Sequence, residues 1–198
     1  MKRIAFLFVI GLIGMNLHAL EKMTDPGELV WFGLDYSLVR FIGLNSQFTD
    51  LEKIQGQYFR SWNELVLLEK DKYNVNEAFG AGKVDYAFDQ AIERSQGLDM
   101  YNVVQTEPYS LDEDEVARVV SAYTDPSVDQ FGALFVMETL NKLEQYSTMW
   151  VVVFRISTGE ILYMKHRQGG VGGIGFRNYW ARSYYEVLKK ANVSLSRL

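Results

Sequence analysis

The sequence predicts an α/β (α+β) domain, in which helices cover a single mixed β-sheet of about five strands that ends in a C-terminal antiparallel meander. Two observations carry this prediction. Residues 150–156 are apolar apart from Arg155, as in a buried strand, and residues 160–166 alternate as the returning strand of a hairpin. Residues 51–72 repeat apolar side chains every three or four positions, which is the period of a helix packed on a sheet.

The other elements follow from the same periodicities. We predict strands at 28–38, 101–105 and 131–140, and helices at 83–95, after a Ser110–Glu113 capping box, and at 177–191. A helix at 131–140 stays open, because Met, Glu, Leu and Lys are good helix formers. The predicted order is β-α-α-β-α-β-β-β-α. It allows the first two strands to lie parallel through a right-handed crossover, and the last three to form the meander.

Residues 1–19 have the composition of an export signal. Lys2 and Arg3 precede an apolar stretch, and a small-residue cleavage site ends at Ala19. An uncleaved anchor is the alternative, although the stretch is shorter than the roughly 20 residues that span a bilayer. We therefore predict a signal peptide at 1–19, a single globular domain at 20–198, and no transmembrane segment after cleavage.

Composition excludes several classes of function. The chain has 20 basic and 25 acidic residues, and removing the signal leaves 18 and 25, a net charge of −7. We expect no nucleic-acid partner, because neutralisation of phosphates supplies most of that affinity. The chain contains no cysteine, so thiol catalysis and zinc–thiolate sites are ruled out.

Candidate catalytic groups are few. His166 is the single histidine of residues 20–198, and no nucleophile motif accompanies it. The acidic run 112–115 is typical of the first turn of a helix and lacks the spacing of a calcium loop. Asp35 with Glu138 could form a carboxylate pair for glycoside hydrolysis, although a hydrogen-bonded structural acid is the simpler interpretation of Asp35. We expect no catalytic residue, metal or cofactor, with a hydrolase as an alternative.

A glycine-rich segment joins the hairpin to the last helix. Gly170, Gly172 and Gly175 match the pattern G-x-G-x-x-G, and Arg177 and Asn178 follow at the start of the helix. These five residues could bind phosphate or carboxylate through backbone N–H groups and the helix N-terminus. A dinucleotide site would need a βαβ unit, for which the remaining sequence is too short, so a tightly curved connector is the alternative.

The last helix carries a stripe of aromatic residues. A stripe at helical spacing is typical of a face that packs in the core. The alternative hypothesis assigns Trp180 and Tyr185 to an exposed recognition surface, because aromatic residues are enriched at interfaces.

Three segments together carry a resemblance. The strand and turn at 150–159, the glycines at 170–175 and the sequence Phe-Arg-Asn-Tyr-Trp at 176–180 resemble the C-terminal signature of small uncharacterised exported proteins of Gram-negative bacteria. Residues 31–37 resemble the first strand of the same group. The resemblance implies a periplasmic or secreted protein and does not imply any particular activity. Those proteins often carry an acid where this chain has Arg155.

The function expected first is a non-enzymatic envelope protein that docks onto a protein partner or onto its own copy, through Trp180 and Tyr185. The alternative from another class is a small-ligand-binding module that uses the glycine-rich segment. An exposed aromatic patch would favour docking, whereas a concave pocket over the segment would favour a ligand.

Overall fold

The computed structural model describes residues 27–198, and the predicted signal peptide at 1–19 lies outside them. The strands are β1 (Glu28–Asp35), β2 (Arg40–Ile42), β3 (Lys83–Tyr86), β4 (Val104–Gln105), β5 (Phe131–Asn141), β6 (Tyr146–Arg155) and β7 (Ile161–Gly170). The helices are α1 (Leu51–Lys53), α2 (Phe59–Asn63), α3 (Leu65–Leu68), α4 (Val75–Phe79), α5 (Asp89–Gln96), α6 (Glu113–Ser121) and α7 (Phe176–Lys190). Short turns of 3₁₀-helix occupy Asn45–Gln47 and Leu195–Arg197. The prediction of a mixed sheet combined with helices is confirmed.

Strand β5 is the centre of the sheet. Along one edge it pairs antiparallel with β6 over its whole length, and β6 pairs antiparallel with β7. Along the other edge it pairs parallel with β1 and, further on, with β2. Strand β3 extends the sheet beyond β1 and β4 extends it beyond β2, both in parallel. The seven strands therefore occupy five positions across the sheet.

The predicted antiparallel meander is only partly correct. Strands β5, β6 and β7 do form it, but the remaining half of the sheet is parallel and uses β5 as its inner strand. The predicted parallel neighbours were the strands at 28–38 and 101–105. In the structure β1 lies between β3 and β5, whereas β4 pairs with β2, a strand that periodicity did not indicate.

The two faces of the sheet carry separate hydrophobic clusters. Successive residues of a strand point to opposite faces, and those of β5 alternate between the clusters. Phe135 and Met137 belong to the cluster beneath α2, α4 and α7, whereas Leu134 and Val136 belong to the cluster beneath α6. Full burial on both faces explains why β5 is almost continuously apolar and why its helical alternative is wrong.

The helical predictions need three corrections. The helix expected at 51–72 is interrupted by a π-helical turn at Ile54–Tyr58 and ends at Leu68, and α4 was not predicted. The helix expected at 83–95 begins as strand β3 and becomes helical only at Asp89, because pairing with β1 overrides local propensity. The capping box of α6 is formed by Asp112 with Glu115 rather than by Ser110 with Glu113.

Candidate functional site

A β-bulge in β5 occurs at Glu138, an acidic residue that follows Leu134 and Val136 on the face of the strand beneath α6. The pairing of β5 with β6 passes from Met137–Met149 to Thr139–Thr148, so Glu138 has no partner residue of its own. A bulge re-aims the side chain it carries and is common beside functional sites. The carboxylate of Glu138 is only 3% exposed. Without hydrogen-bond partners, such a group would cost the fold several kcal/mol.

The carboxylate of Glu138 has three partners. Its Oε1 accepts a hydrogen bond from the backbone N–H of Leu111 at 2.8 Å and a longer one from Nε1 of Trp150 at 3.4 Å. Its Oε2 lies 2.6 Å from Nε2 of His166. Leu111 stands just before α6, so this acid connects the helix lead-in to three strands of the sheet.

The same contacts hold the imidazole of His166 in one orientation. His166 lies opposite Trp150 in the β6–β7 pairing, and their ring centroids are 5.2 Å apart. A carboxylate on one ring nitrogen sets which nitrogen faces the surroundings. Within residues 27–198, no group forms a hydrogen bond with Nδ1 of His166. That nitrogen is therefore available to a ligand as a hydrogen-bond partner.

Glu138 and His166 line a cavity of about 420 Å³ above the ends of β5, β6 and β7, which we call the dyad cavity. Its volume is in the range of small-molecule pockets. Further polar groups come from the segment before α6 and from the far ends of the strands, including Tyr109, Ser110, Asn141, Tyr146, Thr148 and Gln168. Apolar atoms of Ile42, Pro108 and Leu143 complete the wall. No lysine or arginine is among the residues that line this cavity.

Two tyrosine hydroxyls of the dyad cavity stay protonated at neutral pH. The pKa of Tyr146 is raised first by a hydrogen bond with Glu144 and then by burial. Burial likewise raises the pKa of Tyr109. Both hydroxyls can therefore donate as well as accept a hydrogen bond. The hydroxyl groups of Thr139 and Thr148 form a hydrogen bond with each other, with their oxygens 2.6 Å apart.

Asp35 is the second buried acid, and it belongs to a different network. Its Oδ2 accepts hydrogen bonds from Nε of Arg94 at 2.8 Å and from the hydroxyl of Tyr123 at 2.7 Å. Its Oδ1 accepts from the backbone N–H of Ser37 at 2.7 Å. Asp35 is fully buried, and it is not among the residues that line the dyad cavity. The structure therefore does not present Asp35 and Glu138 as a carboxylate pair to one substrate.

The glycine-rich segment is not arranged as a phosphate loop. Gly170 is the last residue of β7 and Gly175 directly precedes α7. The N–H of Gly172 donates to the carbonyl of Tyr179, 3.0 Å away, so the loop folds against the helix. The glycines therefore occupy a strand end, a loop and a helix cap rather than one cradle.

The polar side chains after the glycines bind each other. Nη1 of Arg177 donates to Oδ1 of Asn178, and Nδ2 of Asn178 donates to the carbonyl of Ile174. A cavity of about 490 Å³ lies beside the loop and includes Gly172 and Asn178. The other three predicted ligand-binding residues, Gly170, Gly175 and Arg177, do not line it.

The aromatic face of α7 packs in the core, as the periodicity indicated. Trp180 is only 2% exposed and stacks against Phe48 with ring centroids 5.9 Å apart. Its assignment to an exposed recognition surface is wrong, because the amphipathic stripe faces the sheet. Tyr185 is half-buried and packs edge-on against Tyr73, below Nζ of Lys72. These two aromatic residues do not form one surface patch.

An acidic groove lies between α1 and the segment that follows α5. It has a volume of about 750 Å³, a floor that includes Phe48, Leu98 and Met100, and a rim of Asp50, Glu52 and Asp99. Tyr101 at its edge is fully exposed. Within the described residues no lysine or arginine forms an ion pair with any of the three rim acids. Hydrogen bonds from Asn102 and Tyr101 lower the pKa of Asp99, which favours its charged form.

Comparisons with known proteins give no match for this chain among protein families, curated proteins or solved structures. The resemblance to small exported proteins stays a prediction. No helix within residues 27–198 is long and apolar enough to cross a bilayer.

Sequence reasoning named Glu138 and His166 but did not connect them. From the sequence, Glu138 is a candidate partner of Asp35 in a carboxylate pair, and His166 is an isolated imidazole. An available signal was the coincidence of one acid in an apolar strand with the one histidine of the neighbouring hairpin. Their contact depends on the bulge and on the register of two strand pairings, which periodicity does not specify.

Proposed function

We propose that this protein is a non-enzymatic binding protein of the bacterial envelope that holds a small polar molecule in the dyad cavity. One observation carries the proposal: a buried carboxylate, Glu138, fixes a histidine whose second ring nitrogen is unpaired at a concave surface. A concave surface on which a few fixed polar groups converge is typical of a small-molecule site. The predicted signal peptide and the resemblance to exported proteins support the envelope location.

Binding fits the geometry better than covalent catalysis does. Within residues 27–198, no serine, threonine or tyrosine hydroxyl forms a hydrogen bond with His166, so no activated nucleophile accompanies the imidazole. The carboxylate of Glu138 is occupied by its three partners and is nearly inaccessible. What remains for a ligand is Nδ1 of His166 and the surrounding hydroxyl and amide groups.

A fragment screen followed by amide chemical-shift mapping tests the proposal. Ligands of the dyad cavity should shift the amide signals of Ser110, His166 and Gln168 together. His166→Asn should weaken such ligands at least about fivefold, because it removes the oriented ring nitrogen as a hydrogen-bond partner. Lys165→Ala is the matched control, since this exposed neighbour on β7 points to the other face of the sheet. The proposal fails if no fragment shifts these amides, or if both variants behave alike.

The acidic groove supports docking as a second candidate function. We propose that it receives a basic segment of another protein that carries an apolar anchor residue. Three carboxylates that form no ion pair within residues 27–198 surround an apolar floor, which is complementary in charge and in polarity to such a segment. This candidate keeps the expected docking function and moves its surface from Trp180 and Tyr185 to Asp50, Glu52 and Tyr101.

Fluorescence anisotropy with labelled peptides that combine lysine or arginine with leucine tests the docking proposal. Glu52→Lys should reduce affinity at least about tenfold, and raising salt should weaken binding by screening the exposed charges. Glu93→Lys, an equivalent charge reversal on the exposed side of α5, should leave binding unchanged. Equal binding of acidic peptides, or an equal loss in both variants, would contradict the proposal.

A further inference from the structure

We infer that the ligand class of the dyad cavity is a neutral saccharide. The inference rests on the proposed binding function and specifies which molecules the cavity accepts. Three features of the lining carry it: the balance of charge, the kind of hydrogen-bonding groups that are free, and the placement of aromatic rings.

The charge balance disfavours an anionic ligand. A phosphate or carboxylate would need lysine, arginine or an array of N–H donors, and no lysine or arginine lines the cavity. The guanidinium of Arg40 lies over the ring of Tyr109, at 5.2 Å from its centroid. Its Nη1 donates to the carbonyl of Val39, and Arg40 is not among the residues that line the cavity.

A cationic ligand also lacks a free counter-charge on the floor of the cavity. Glu138 is engaged by Leu111, Trp150 and His166, and its side chain is only 3% exposed. Glu144 stands on the rim, where it is exposed and holds a hydrogen bond with Tyr146. A rim carboxylate in water contributes little binding energy.

The free polar groups suit a ligand whose own groups both donate and accept. Gln168, Ser110 and Tyr109 have no side-chain hydrogen bond within residues 27–198, and Nδ1 of His166 is unpaired. An amide, two hydroxyls and an imidazole nitrogen offer donors and acceptors side by side. A sugar hydroxyl matches either kind of group, so a saccharide can satisfy the whole set without carrying a charge.

Aromatic rings supply the apolar part of the recognition. Tyr109 and Tyr146 both line the cavity, one from the segment before α6 and the other from the start of β6. Tyrosine combines an apolar face with a polar tip, which matches the mixed C–H and hydroxyl surface of a pyranose ring. Each feature alone fits several ligands, and a neutral polyhydroxylated ring uses all three together.

Sugars that share a pyranose ring and differ in charge provide the test. Glucose, glucosamine and glucuronate share one ring, and cellobiose and maltose extend the neutral arm to two rings. Titrations of the protein followed by amide chemical-shift mapping should show neutral sugars shifting Ser110, His166 and Gln168. Gln168→Ala should weaken the best sugar at least about fivefold by removing a hydrogen-bonding partner, whereas Lys165→Ala should not change it.

The outcomes separate the inference from the proposed function. If glucosamine or glucuronate binds the dyad cavity more tightly than the neutral sugars, the saccharide inference is wrong in its charge argument. If no sugar binds there but other fragments do, the inference is overturned and the binding function stands. If nothing shifts the cavity amides, both are overturned.

Discussion

Replacing Arg94 by methionine should destabilise the fold by about 2–3 kcal/mol, because it leaves the carboxylate of Asp35 without its cation. Removing one partner of a buried ion pair costs about 3–5 kcal/mol when both groups are fully enclosed. Asp35 is fully buried, but the side chain of Arg94 is 30% exposed, so solvent screens part of the interaction. Asp35 also keeps hydrogen bonds from Tyr123 and Ser37, which lowers the expected cost further.

Urea unfolding at pH 7, monitored by circular dichroism, measures this loss in the free energy of unfolding directly. In thermal unfolding, the melting temperature of a domain of this size should fall by about 5–10 °C. Arg60→Met is the matched control, since Arg60 is 52% exposed and its ion pairs with Glu64 and Asp89 span 3.9 and 4.0 Å. Such surface pairs contribute roughly 0–1 kcal/mol, so the control should stay close to the wild-type stability.

A double-mutant cycle with Asp35→Asn separates the ion pair from lost packing. The variant with both substitutions should be more stable than the sum of the two single losses predicts, by about 1–3 kcal/mol, because neither charge is then left alone. The reasoning is refuted if Arg94→Met costs no more than Arg60→Met, or if the two substitutions are simply additive.

Three further predictions concern packing, hydrogen bonding and pH. Gly169→Ala should cost about 2 kcal/mol or more in urea unfolding, because its new Cβ would overlap the carbonyl of Ser183 on α7, whereas Gly170→Ala meets no atom and should be tolerated. Asn63→Ala should lose about 2–3 kcal/mol in the same assay, since its amide group satisfies buried backbone groups of β1 and α2. Burial and a neighbouring carboxylate raise the pKa of Tyr123, so its neutral form is favoured in the folded state. The contribution of Tyr123 to stability should therefore be level below pH of about 10, the pKa of an unfolded tyrosine, and fall above it, so alkaline destabilisation should be less steep in Tyr123→Phe.

The C-terminal half of the fold could be predicted from the sequence because its signals are local and long. The predicted strands at 150–156 and 160–166 each extend one residue beyond the observed hairpin, whose strands β6 and β7 contain residues 150–155 and 161–166, and α7 begins within one residue of its predicted start. The prediction that the aromatic stripe of α7 packs in the core is also confirmed, since a helix of 15 residues defines its apolar face clearly. In segments of this length, the periodic pattern outweighs the conformational preference of any single residue.

The N-terminal half was harder to predict because its elements are short and depend on their neighbours. Strand β2 has three residues and exists through parallel pairing with β5 and β4. Strand β3 lies in a stretch whose apolar spacing also fits a helix, and it is extended because β1 offers an unpaired edge. A short segment of sequence does not include its partner strand, so its own residues cannot show whether it will be extended or helical.

By itself the sequence determined the class of fold, the main hairpin, the last helix and the presence of one histidine among strands, because each follows from composition or periodicity. Only the tertiary structure decided that Glu138 meets His166, that Asp35 pairs instead with Arg94, and that Trp180 is enclosed. The physical reason is the same in each case. Periodicity specifies which face of an element is apolar, whereas the register of strand pairing and a single bulge determine which polar groups on distant elements come within hydrogen-bonding distance.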